Sequence, residues 1–313
     1  KTYMIKIEPI SQMNLFGLNK YMLEMIKLYT NNNLPNKILF SGQKGLGKAT
    51  LAFHFINFVL SQNEEYSYDC ENFSINPENP SFKTILNKSN PNFILLDVEL
   101  EKKFIDISQI RNLITNLNKS SFNLKPRFIL IDNIEFLNIN SINALLKILE
   151  EPSNNIHFIL INNNKRILPT LLSRCLNFKI SLSNKESFDI ANKLLDNKIN
   201  DFINKSIINY YMSPGNIYNL IFFANNNNYD LANTKLEYLI KKLIINKHYK
   251  KNDIIKFIIF DLIESYFNKI NFSFSSKITE KYSYFIKRIS ETRKYNLDEE
   301  TLFNEFEENL LNG

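Results

Sequence analysis

Between residues 36 and 180, short and almost wholly apolar runs alternate with helix-like patterns. The runs are KILFSG, NFILLD, RFILIDN, IHFILIN and LNFKI, and their continuous apolar character is typical of strands buried on both faces of a parallel sheet. Four segments between them are predicted to be helical: KATLAFHFINFVL, SQIRNLITNLN, SINALLKILEE and KRILPTLLSR. In the third, Ile142, Leu145, Leu146 and Leu149 share one helix face. The repeated order predicts an α/β domain with a parallel sheet.

Strand-like runs stop after Ile180. The next segment predicts short helices, interrupted at Ser213 to Gly215 (SPG), a strong turn or break. From about Tyr229 onward the pattern is helical, and in the last helix an apolar stripe follows Asp298, a residue suited to an N-cap. The predicted organisation is an α/β domain over residues 1–180, a helical domain over 181–228 and a helical C-terminal domain over 229–313.

Composition places the chain among soluble proteins that form a core. Of its 313 residues, 44% are hydrophobic and 22% are charged, which is the balance of a folded protein rather than a disordered one. No apolar run approaches the roughly 18 residues of a membrane span. The most apolar stretch, IIKFIIFDLI, is interrupted by Lys256 and Asp261 and predicts a buried helix. Because the first residues lack the features of a signal peptide, we expect a cytoplasmic protein.

The cysteines and histidines predict no metal site. Cys70 and Cys175 are far apart, and the three histidines do not cluster near them, so these residues cannot supply a four-ligand zinc site. A disulfide between the two cysteines is conceivable, but the missing secretory signal favours a reducing compartment.

A formal net charge of +6 leaves two interpretations open. A basic protein suits a nucleic-acid partner. The chain is also crowded with Lys, Asn and Ile, the residues that an AT-rich coding sequence favours, and its lysines are scattered rather than striped along one face. The charge therefore does not decide the function.

The stretch SGQKGLGKAT nearly matches the phosphate-binding pattern G-x-x-x-x-G-K-[ST]. Three of the six glycines, Gly42, Gly45 and Gly47, lie in it, which indicates a backbone that needs unusual φ values or a close approach to another group. The loop follows a predicted strand and opens a helix, where backbone N–H groups favour a phosphate and Lys48 would reach the terminal phosphates. A tight strand-to-helix turn without a ligand is the alternative.

Two positions argue against hydrolysis at this loop. Ala49 stands where the magnesium-binding hydroxyl belongs, with Thr50 as a candidate substitute. The strand RFILIDNIE supplies an acid, Asp132. The next residue is Asn133, whereas ATPases with this loop and strand pattern carry their catalytic Glu there. Glu135 is displaced by two positions and is expected to point elsewhere. One loss could be tolerated, but two together predict a site that no longer turns over.

The segment LPTLLSRCLNF places Arg174 at a predicted helix–strand junction. An arginine in this setting can act as an arginine finger, which stabilises the charge on a transferring phosphate and is worth about 10³–10⁵ in rate. The alternative is a surface arginine that interacts with the C-terminus of a helix.

Two longer stretches carry a family resemblance. NALLKILEEP, followed by FILINNNKRILPTLLSRC, resembles the AAA+ clamp-loader subunits of bacterial DNA polymerase III. Within that family the chain is most similar to the delta-prime type in its alphaproteobacterial form. SGQKGLGKATLAFHF matches that form with its Ala included, and NPENPSFKTILNKSNPNFILLD matches a segment that lacks the zinc-binding cysteines of other clamp-loader subunits. The likeness runs from Asn14 nearly to the C-terminus, through IDISQIRNL and ETRKYNLDEE.

The resemblance implies an AAA+ parallel-sheet P-loop domain, a small helical lid and a helical collar domain that joins a pentamer. It implies a comparatively rigid stator beside the gamma/tau motor subunits and the clamp-opening delta subunit, with the sliding clamp and primed DNA as partners of the assembled ring. Arg174 matches the arginine of S-R-C, which acts in trans on the ATP of the neighbouring motor subunit. The role requires no cofactor, although ATP or ADP with magnesium is expected to be able to bind without turnover. The expected location is the bacterial cytoplasm, at the nucleoid during replication.

Further positions bear on whether the chain hydrolyses ATP itself. The family's lid motif offers an arginine beside the glycine of S-P-G, and here Asn216 follows Gly215. The polar sensor at the end of a strand falls at Asn162 or Asn163. We therefore expect no autonomous ATPase activity.

Two other functions stay open. A motor subunit of gamma/tau type would hydrolyse its own ATP, with Thr50 and Glu135 substituting for the missing groups. A stand-alone DNA-binding protein would bind DNA tightly and in a salt-sensitive manner by itself. The sequence offers that second function no evident basic helix or aromatic stacking platform.

Overall fold

The chain divides into two compact units, one of residues Ile7–Ser181 and one that combines the N-terminal segment up to Lys6 with the chain from Leu182 onward. Both are taken from a computed structural model. The structure describes residues 6–99, 102, 104–117, 123–150, 155–163, 167, 169–208, 210–270, 276–295 and 297–308.

A five-stranded parallel sheet forms the centre of the first unit, with strand order β2-β3-β4-β1-β5. Each of the five apolar runs in the sequence supplies one strand, which confirms the predicted parallel α/β fold. The strands are β1 (Lys37–Ser41), β2 (Phe93–Leu96), β3 (Arg127–Ile131), β4 (Ile156–Asn162) and β5 (Leu176–Lys179).

The described helices of the first unit connect these strands and cover the sheet. They are α1 (Asn19–Thr30), α2 (Lys48–Leu60), α3 (Pro80–Leu86), α4 (Ile107–Leu117), α5 (Ile139–Glu150) and α6 (Pro169–Leu172). The helices predicted before β2, β3 and β4 are confirmed as α2, α4 and α5. The helix predicted before β5 is shorter than expected: the described part is α6 alone, and Lys165, Arg166 and Leu168 lie outside the described residues.

The inner strands β1, β3 and β4 are buried on both faces, as their continuous apolar runs predict, whereas the edge strand β5 is mostly exposed. All seven residues of β4 are buried. On one face, Leu145 and Leu149 of α5 pack with Ile110 and Leu113 of α4 in a single core cluster with Phe158 of β4. These contacts fix the strand ends, and the candidate functional residues lie at those ends.

The second unit is helical throughout its described elements. The α-helices are α7 (Asn184–Leu194), α8 (Ile199–Phe202), α9 (Pro214–Asn226), α10 (Leu236–Ile245), α11 (His248–Lys251), α12 (Asp253–Ile270), α13 (Ser276–Tyr295) and α14 (Glu299–Phe306), and a short 3₁₀ helix spans Lys205–Ile207. Within the described ranges, no helix combines the length and the apolar character that crossing a membrane requires.

Local sequence signals define two helix starts in this unit. The predicted break at SPG is the start of α9, because the Ser213 side chain accepts the N–H of Asn216 and Pro214 occupies the first turn. The predicted N-cap Asp298 is also confirmed, since its carboxylate accepts two N–H groups of α14. The division of this helical region at residues 228/229 stays a prediction.

Aromatic packing holds α14 in the second unit. Phe303 and Phe306 are fully buried. Phe303 packs edge-on or tilted against Tyr249 and Phe260, and Phe306 packs against Phe285 at a ring-centroid distance of 5.4 Å. Aromatic pairs at such distances stabilise a core beyond the area that they bury.

Candidate functional site

The loop between β1 and α2 has a backbone that depends on glycine. Gly42, Gly45 and Gly47 have φ values of 152°, 85° and 90°, a region that other residues rarely adopt. A Cβ atom at Gly42 would lie 2.3 Å from the carbonyl oxygen of Ile180. The prediction that this loop needs unusual φ values and a close approach is therefore confirmed, and at Gly42 the close neighbour is the protein's own backbone.

The loop ends at the N-terminus of α2, a helix of 13 residues. Gly47 is the N-cap and, lacking a side chain, cannot accept the first N–H groups of the helix. Those N–H groups and the helix dipole make this end favourable for an anion. The local structure therefore has the backbone features that favour a phosphate.

Lys48 lies inside the loop rather than in solvent, with only 3% of its surface exposed. Its Nζ donates hydrogen bonds to the carbonyl oxygens of Gly42 and Gln43, at 2.8 and 2.6 Å. Burial lowers the pKa of Lys48 to about 8, against the opposing effect of the charges on Asp132 and Glu135. The ammonium group is therefore placed at the loop, where it can contact a bound phosphate.

Asp132 follows β3 at the same edge of the sheet. Burial raises the pKa of this carboxyl group to about 6, and the nearby charge of Asp97 acts in the same direction. The backbone N–H of Asn133 donates to Oδ1 of Asp132 at 2.7 Å, and the charge of Lys48 also favours the ionised form. Ionisation of Asp132 in the folded state therefore lowers the stability of the protein.

Replacing Asp132 with Asn is expected to stabilise the protein at pH 7.5, by on the order of 1–3 kcal/mol. Because the pKa is raised from 3.8 to about 6 in the folded state, the cost of ionisation is complete above pH 6 and disappears as the pH falls towards 4. The gain from Asp132→Asn should shrink over that window. Urea denaturation followed by circular dichroism at pH 7.5 and pH 5 measures both effects.

The matched control is Asp106, a partly exposed carboxylate whose hydrogen bonds with Lys102 and Ser108 lower its pKa. Asp106→Asn should destabilise the protein at pH 7.5, the opposite sign. A destabilised Asp132→Asn variant at pH 7.5 would show that the buried carboxylate is compensated by contacts stronger than those described.

Asn133 forms a bridge between the ends of two strands. Its backbone is left-handed, with φ 55°. Its Nδ2 donates to Oδ1 of Asp97, which follows β2, at 2.8 Å, and its Oδ1 accepts from Nδ2 of Asn163, which follows β4, at 2.9 Å. A carboxylate at this position could not donate to Asp97 and would add a negative charge beside it. The amide is therefore a poor base but a necessary link.

Glu135 lies nearer to the site than the sequence predicts. It is part of a short 3₁₀ turn, Ile134–Phe136, rather than of a continuing strand. Its Oε2 accepts the backbone N–H of Asn163 at 3.3 Å, and its charge acts on both Lys48 and Asp132. The expectation that Glu135 points elsewhere is therefore wrong. The carboxylate faces the same edge of the sheet, with one oxygen engaged by the chain itself.

Ala49 and Thr50 occupy the second and third positions of α2. Successive side chains on a helix point about 100° apart, so the hydroxyl of Thr50 does not lie in the direction of the Ala49 methyl group. Among the residues that the structure describes, no group of three or more His, Cys, Asp or Glu residues could hold a metal ion. The loop residues fit a phosphate group, but the position of Ala49 lacks the hydroxyl that usually binds the magnesium ion of a nucleotide.

Both candidate sensor residues are at this edge. Asn162 is the last residue of β4 and pairs in register with Ser41, directly before the loop. It is 2% exposed, and Asn163 belongs to the network around Asn133. The structure thus brings the loop, Asp132 and the two asparagines together.

Arg174 lies at the opposite edge of the sheet. It precedes β5, and Leu176 of β5 pairs with Ile38 near the start of β1. The phosphate loop follows the other end of β1, roughly 17 Å away for five residues at 3.3 Å each. Arg174 is therefore separated from the loop of its own chain.

The guanidinium of Arg174 has two contacts among the described residues. Nη1 donates to the carbonyl oxygen of Thr170 at 2.7 Å, and Nη2 donates to Oε1 of Glu150 at 2.9 Å. The contact with Thr170 is an interaction with the C-terminal end of α6, which is the alternative to an arginine finger that the sequence analysis gave. The side chain remains about one third exposed, so it is accessible to another molecule.

Asn216, which stands where the family's lid motif offers an arginine, makes a structural contact. Asn216 is buried near the start of α9, and its Nδ2 donates to Oδ2 of Asp261 in α12 at 3.0 Å. Both residues belong to the second unit. This amide therefore ties two helices of that unit together.

Both cysteines are free thiols, so the conceivable disulfide does not form. Cys70 is exposed, whereas Cys175 is half-buried. Burial raises the pKa of Cys175 to about 11, which makes the thiol next to Arg174 unreactive at neutral pH.

Comparison with known proteins gives a consistent relationship. Residues 18–184, more than half of the chain, match the family model described as "DNA polymerase III, delta subunit". The DNA polymerase III subunit gamma of Buchnera aphidicola subsp. Schizaphis graminum is 28% identical over 265 residues, 79% of this chain and 70% of that protein. The subunit delta' of Pseudomonas aeruginosa is 31% identical over 138 residues, 44% of this chain and 40% of that protein.

Among solved structures, that of a DNA polymerase III gamma subunit-related protein from Thermotoga maritima is similar to this chain. It is 18% identical with a TM-score of 0.47, and the match covers 90% of this chain and 95% of that one.

The parallel sheet, the glycine loop after β1 and the buried acid after β3 define an α/β domain of the P-loop type that the sequence predicts. The chain belongs to the DNA polymerase III, delta subunit family. It is a clamp-loader subunit that resembles the delta-prime subunits of that enzyme.

Proposed function

We propose that this chain is a clamp-loader stator of the delta-prime type, which supplies Arg174 in trans to the ATP site of a neighbouring motor subunit. The observation that carries the proposal is the placement of Arg174, partly exposed at the sheet edge opposite to its own phosphate loop. An arginine there cannot serve its own nucleotide but is accessible to a neighbour's. Its fixed positive charge and planar donors suit a transferring phosphate.

The chain's own loop serves as a binding element without chemistry in this proposal. The glycines, the start of α2 and Lys48 support phosphate binding. Ala49 offers no ligand to magnesium, and Asn133 is an amide engaged with Asp97 and Asn163. ATP or ADP with magnesium can therefore occupy the loop without turnover, and the stator role does not require it.

The partners follow from the proposed role. They are the gamma/tau motor subunits, the clamp-opening delta subunit, the sliding clamp and primed DNA, the last two through the assembled hetero-oligomer. The complex would load the clamp during replication in the bacterial cytoplasm.

A motor subunit of gamma/tau type is the second candidate. Two observations favour it: a subunit named gamma is similar over 79% of this chain, and Glu135 faces the site. The direction of Thr50 on α2 and the bridge formed by Asn133 count against it. Hydrolysis by the isolated chain separates the two candidates.

The isolated protein is expected to show no steady-state ATP hydrolysis above that of a Lys48→Ala variant. The reason is that Ala49 offers no magnesium-binding hydroxyl and that Asn133, which follows Asp132, carries an amide in place of the catalytic carboxylate. Phosphate release with saturating ATP and magnesium measures the rate, and binding of labelled ADP reports whether the loop is competent. Robust turnover that Lys48→Ala abolishes would overturn the stator proposal in favour of a motor subunit.

The assembled ring needs its own test. Co-purification with gamma/tau and delta subunits should give a stoichiometric complex, whereas the isolated chain should bind primed DNA only weakly. Tight, salt-sensitive DNA binding by the chain alone would instead support a stand-alone DNA-binding protein.

A further inference from the structure

Two separate sequence motifs meet at the guanidinium of Arg174. Glu150 is the last residue of α5 and belongs to NALLKILEEP, whereas Arg174 belongs to the segment between α6 and β5. Oε1 of Glu150 accepts a hydrogen bond from Nη2 of Arg174 at 2.9 Å. The residues are 24 positions apart in the chain, so the contact depends on the fold and not on a local turn.

The end of α5 that carries Glu150 is itself fixed. The ammonium group of Lys37, at the start of β1, donates to the carbonyl oxygen of Leu149 at 2.9 Å. Leu149 is fully buried in the core cluster of the sheet. Glu150 is therefore presented from a helix end that is hydrogen-bonded to β1, whereas Arg174 lies in a short connection.

Stability does not account for the ion pair. The side chains of Arg174 and Glu150 are 34% and 54% exposed, and half-exposed pairs of this kind contribute little to folding. Arginine, however, has high rotamer entropy, and contacts that fix its planar fork in advance reduce what must be ordered when a ligand arrives. The pair suits the orientation of a functional group.

We infer that Glu150 is a positioning residue for Arg174, an inference that rests on the proposed trans role of that arginine. The carboxylate of Glu150 and the carbonyl of Thr170 each take one N–H group of the guanidinium. An arginine has five N–H donors, so within the described residues three are left for the terminal phosphate of a neighbour's nucleoside triphosphate. Glu150 thus selects one orientation of the finger before the neighbour binds.

The test uses the reconstituted clamp loader with its gamma/tau and delta subunits, and measures DNA- and clamp-stimulated ATP hydrolysis. In Glu150→Ala, kcat is expected to fall about tenfold, with KM for ATP unchanged, because a misplaced group weakens the transition state rather than substrate binding. In Glu150→Gln most of the rate should remain, because the amide oxygen still accepts from Nη2. Glu78→Ala, which removes a comparably exposed partner of Lys83, is the control and should leave kcat unchanged.

Other outcomes overturn the inference and identify what failed. A higher kcat in both Glu150 variants would mean that the ion pair restrains Arg174 instead of positioning it. An unchanged kcat in Glu150→Ala, together with a large loss in Arg174→Ala, would remove the positioning role and leave the proposed function standing. An unchanged rate in Arg174→Ala would overturn both. Circular dichroism of each isolated variant checks that folding is retained.

Discussion

In a reconstituted clamp loader, Arg174→Ala is expected to lower ATP hydrolysis at the adjacent motor site by about 10³-fold or more. The guanidinium is partly exposed at the edge of the sheet and, in the described residues, is held only by Thr170 and Glu150. Its removal deletes a positive charge that would face the transferring phosphate, while the subunit itself loses only weak surface contacts. Single-turnover hydrolysis in the presence of clamp and primed DNA measures the effect at that site.

Arg174→Lys serves as the matched variant. Lysine keeps the charge but loses the planar fork of donors, so an intermediate rate is expected. The unfolding transition of both isolated variants should stay close to that of the unsubstituted protein, which separates a defect in catalysis from one in folding. If Arg174→Ala leaves stimulated hydrolysis intact, Arg174 only caps the C-terminal end of α6.

The sheet was predictable from the sequence largely because its inner strands, β1, β3 and β4, are buried on both faces. Phe128 to Ile131 in β3 and the whole of β4 are almost fully buried, and a continuous apolar run is the local signature of that environment. The helix predicted before β5 was too long, since the described part of it is only α6, four residues that begin at Pro169. Apolar spacing extends beyond the residues that are actually helical, so it locates an element better than it bounds one.

Other elements depend on partners that are distant in the chain. Helix α3 was not predicted, although Asn79 accepts the N–H of Phe82 at 2.6 Å and Pro80 opens the helix. The segment before it is held by Glu64, whose Oε1 contacts Nζ of Lys125 at 2.8 Å and Oγ of Ser81 at 2.7 Å. A polar segment fixed in this way carries no hydrophobic period for a local pattern to reveal.

The sequence predicted which residues lie at the candidate site better than it predicted the hydrogen bonds and charge interactions between them. Lys48, Asp132 and Asn162 lie at one edge of the sheet, because parallel strands place their ends there, and their role in nucleotide binding stays a prediction. Asp97 was missed, although NFILLD ends in an acid in the same way as RFILID, and the charge of Asp97 acts on Asp132. The acid at the end of both strands could therefore have indicated Asp97 as a second carboxylate at the site. The bridge formed by Asn133 was not predictable, since it depends on a left-handed backbone and on side-chain geometry.

Gly42→Ala is expected to destabilise the protein by about 3 kcal/mol or more, through backbone strain and overpacking together. The φ of 152° is unfavourable for alanine, and the new Cβ would lie 2.3 Å from the carbonyl oxygen of Ile180. Ile180 cannot move away freely, because its N–H is bonded to the carbonyl oxygen of Ser41 at 2.8 Å, next to the pairing of β1 with β5. Chemical denaturation followed by circular dichroism measures the loss.

Gly47→Ala isolates the contribution of the backbone clash. Gly47 also has a positive φ, 90°, but the nearest obstacle to a Cβ there is the flexible end of the Leu18 side chain, at 3.2 Å. The expected cost is about 1–2 kcal/mol, that of the strained φ alone. Equal losses in the two variants would contradict the argument, because the Ile180 carbonyl would then impose no constraint. A larger loss at Gly42 would mean that this glycine is retained for the fold, whether or not the loop holds a nucleotide. The glycine that completes the phosphate-binding pattern at position 42 would then not by itself indicate a working nucleotide site.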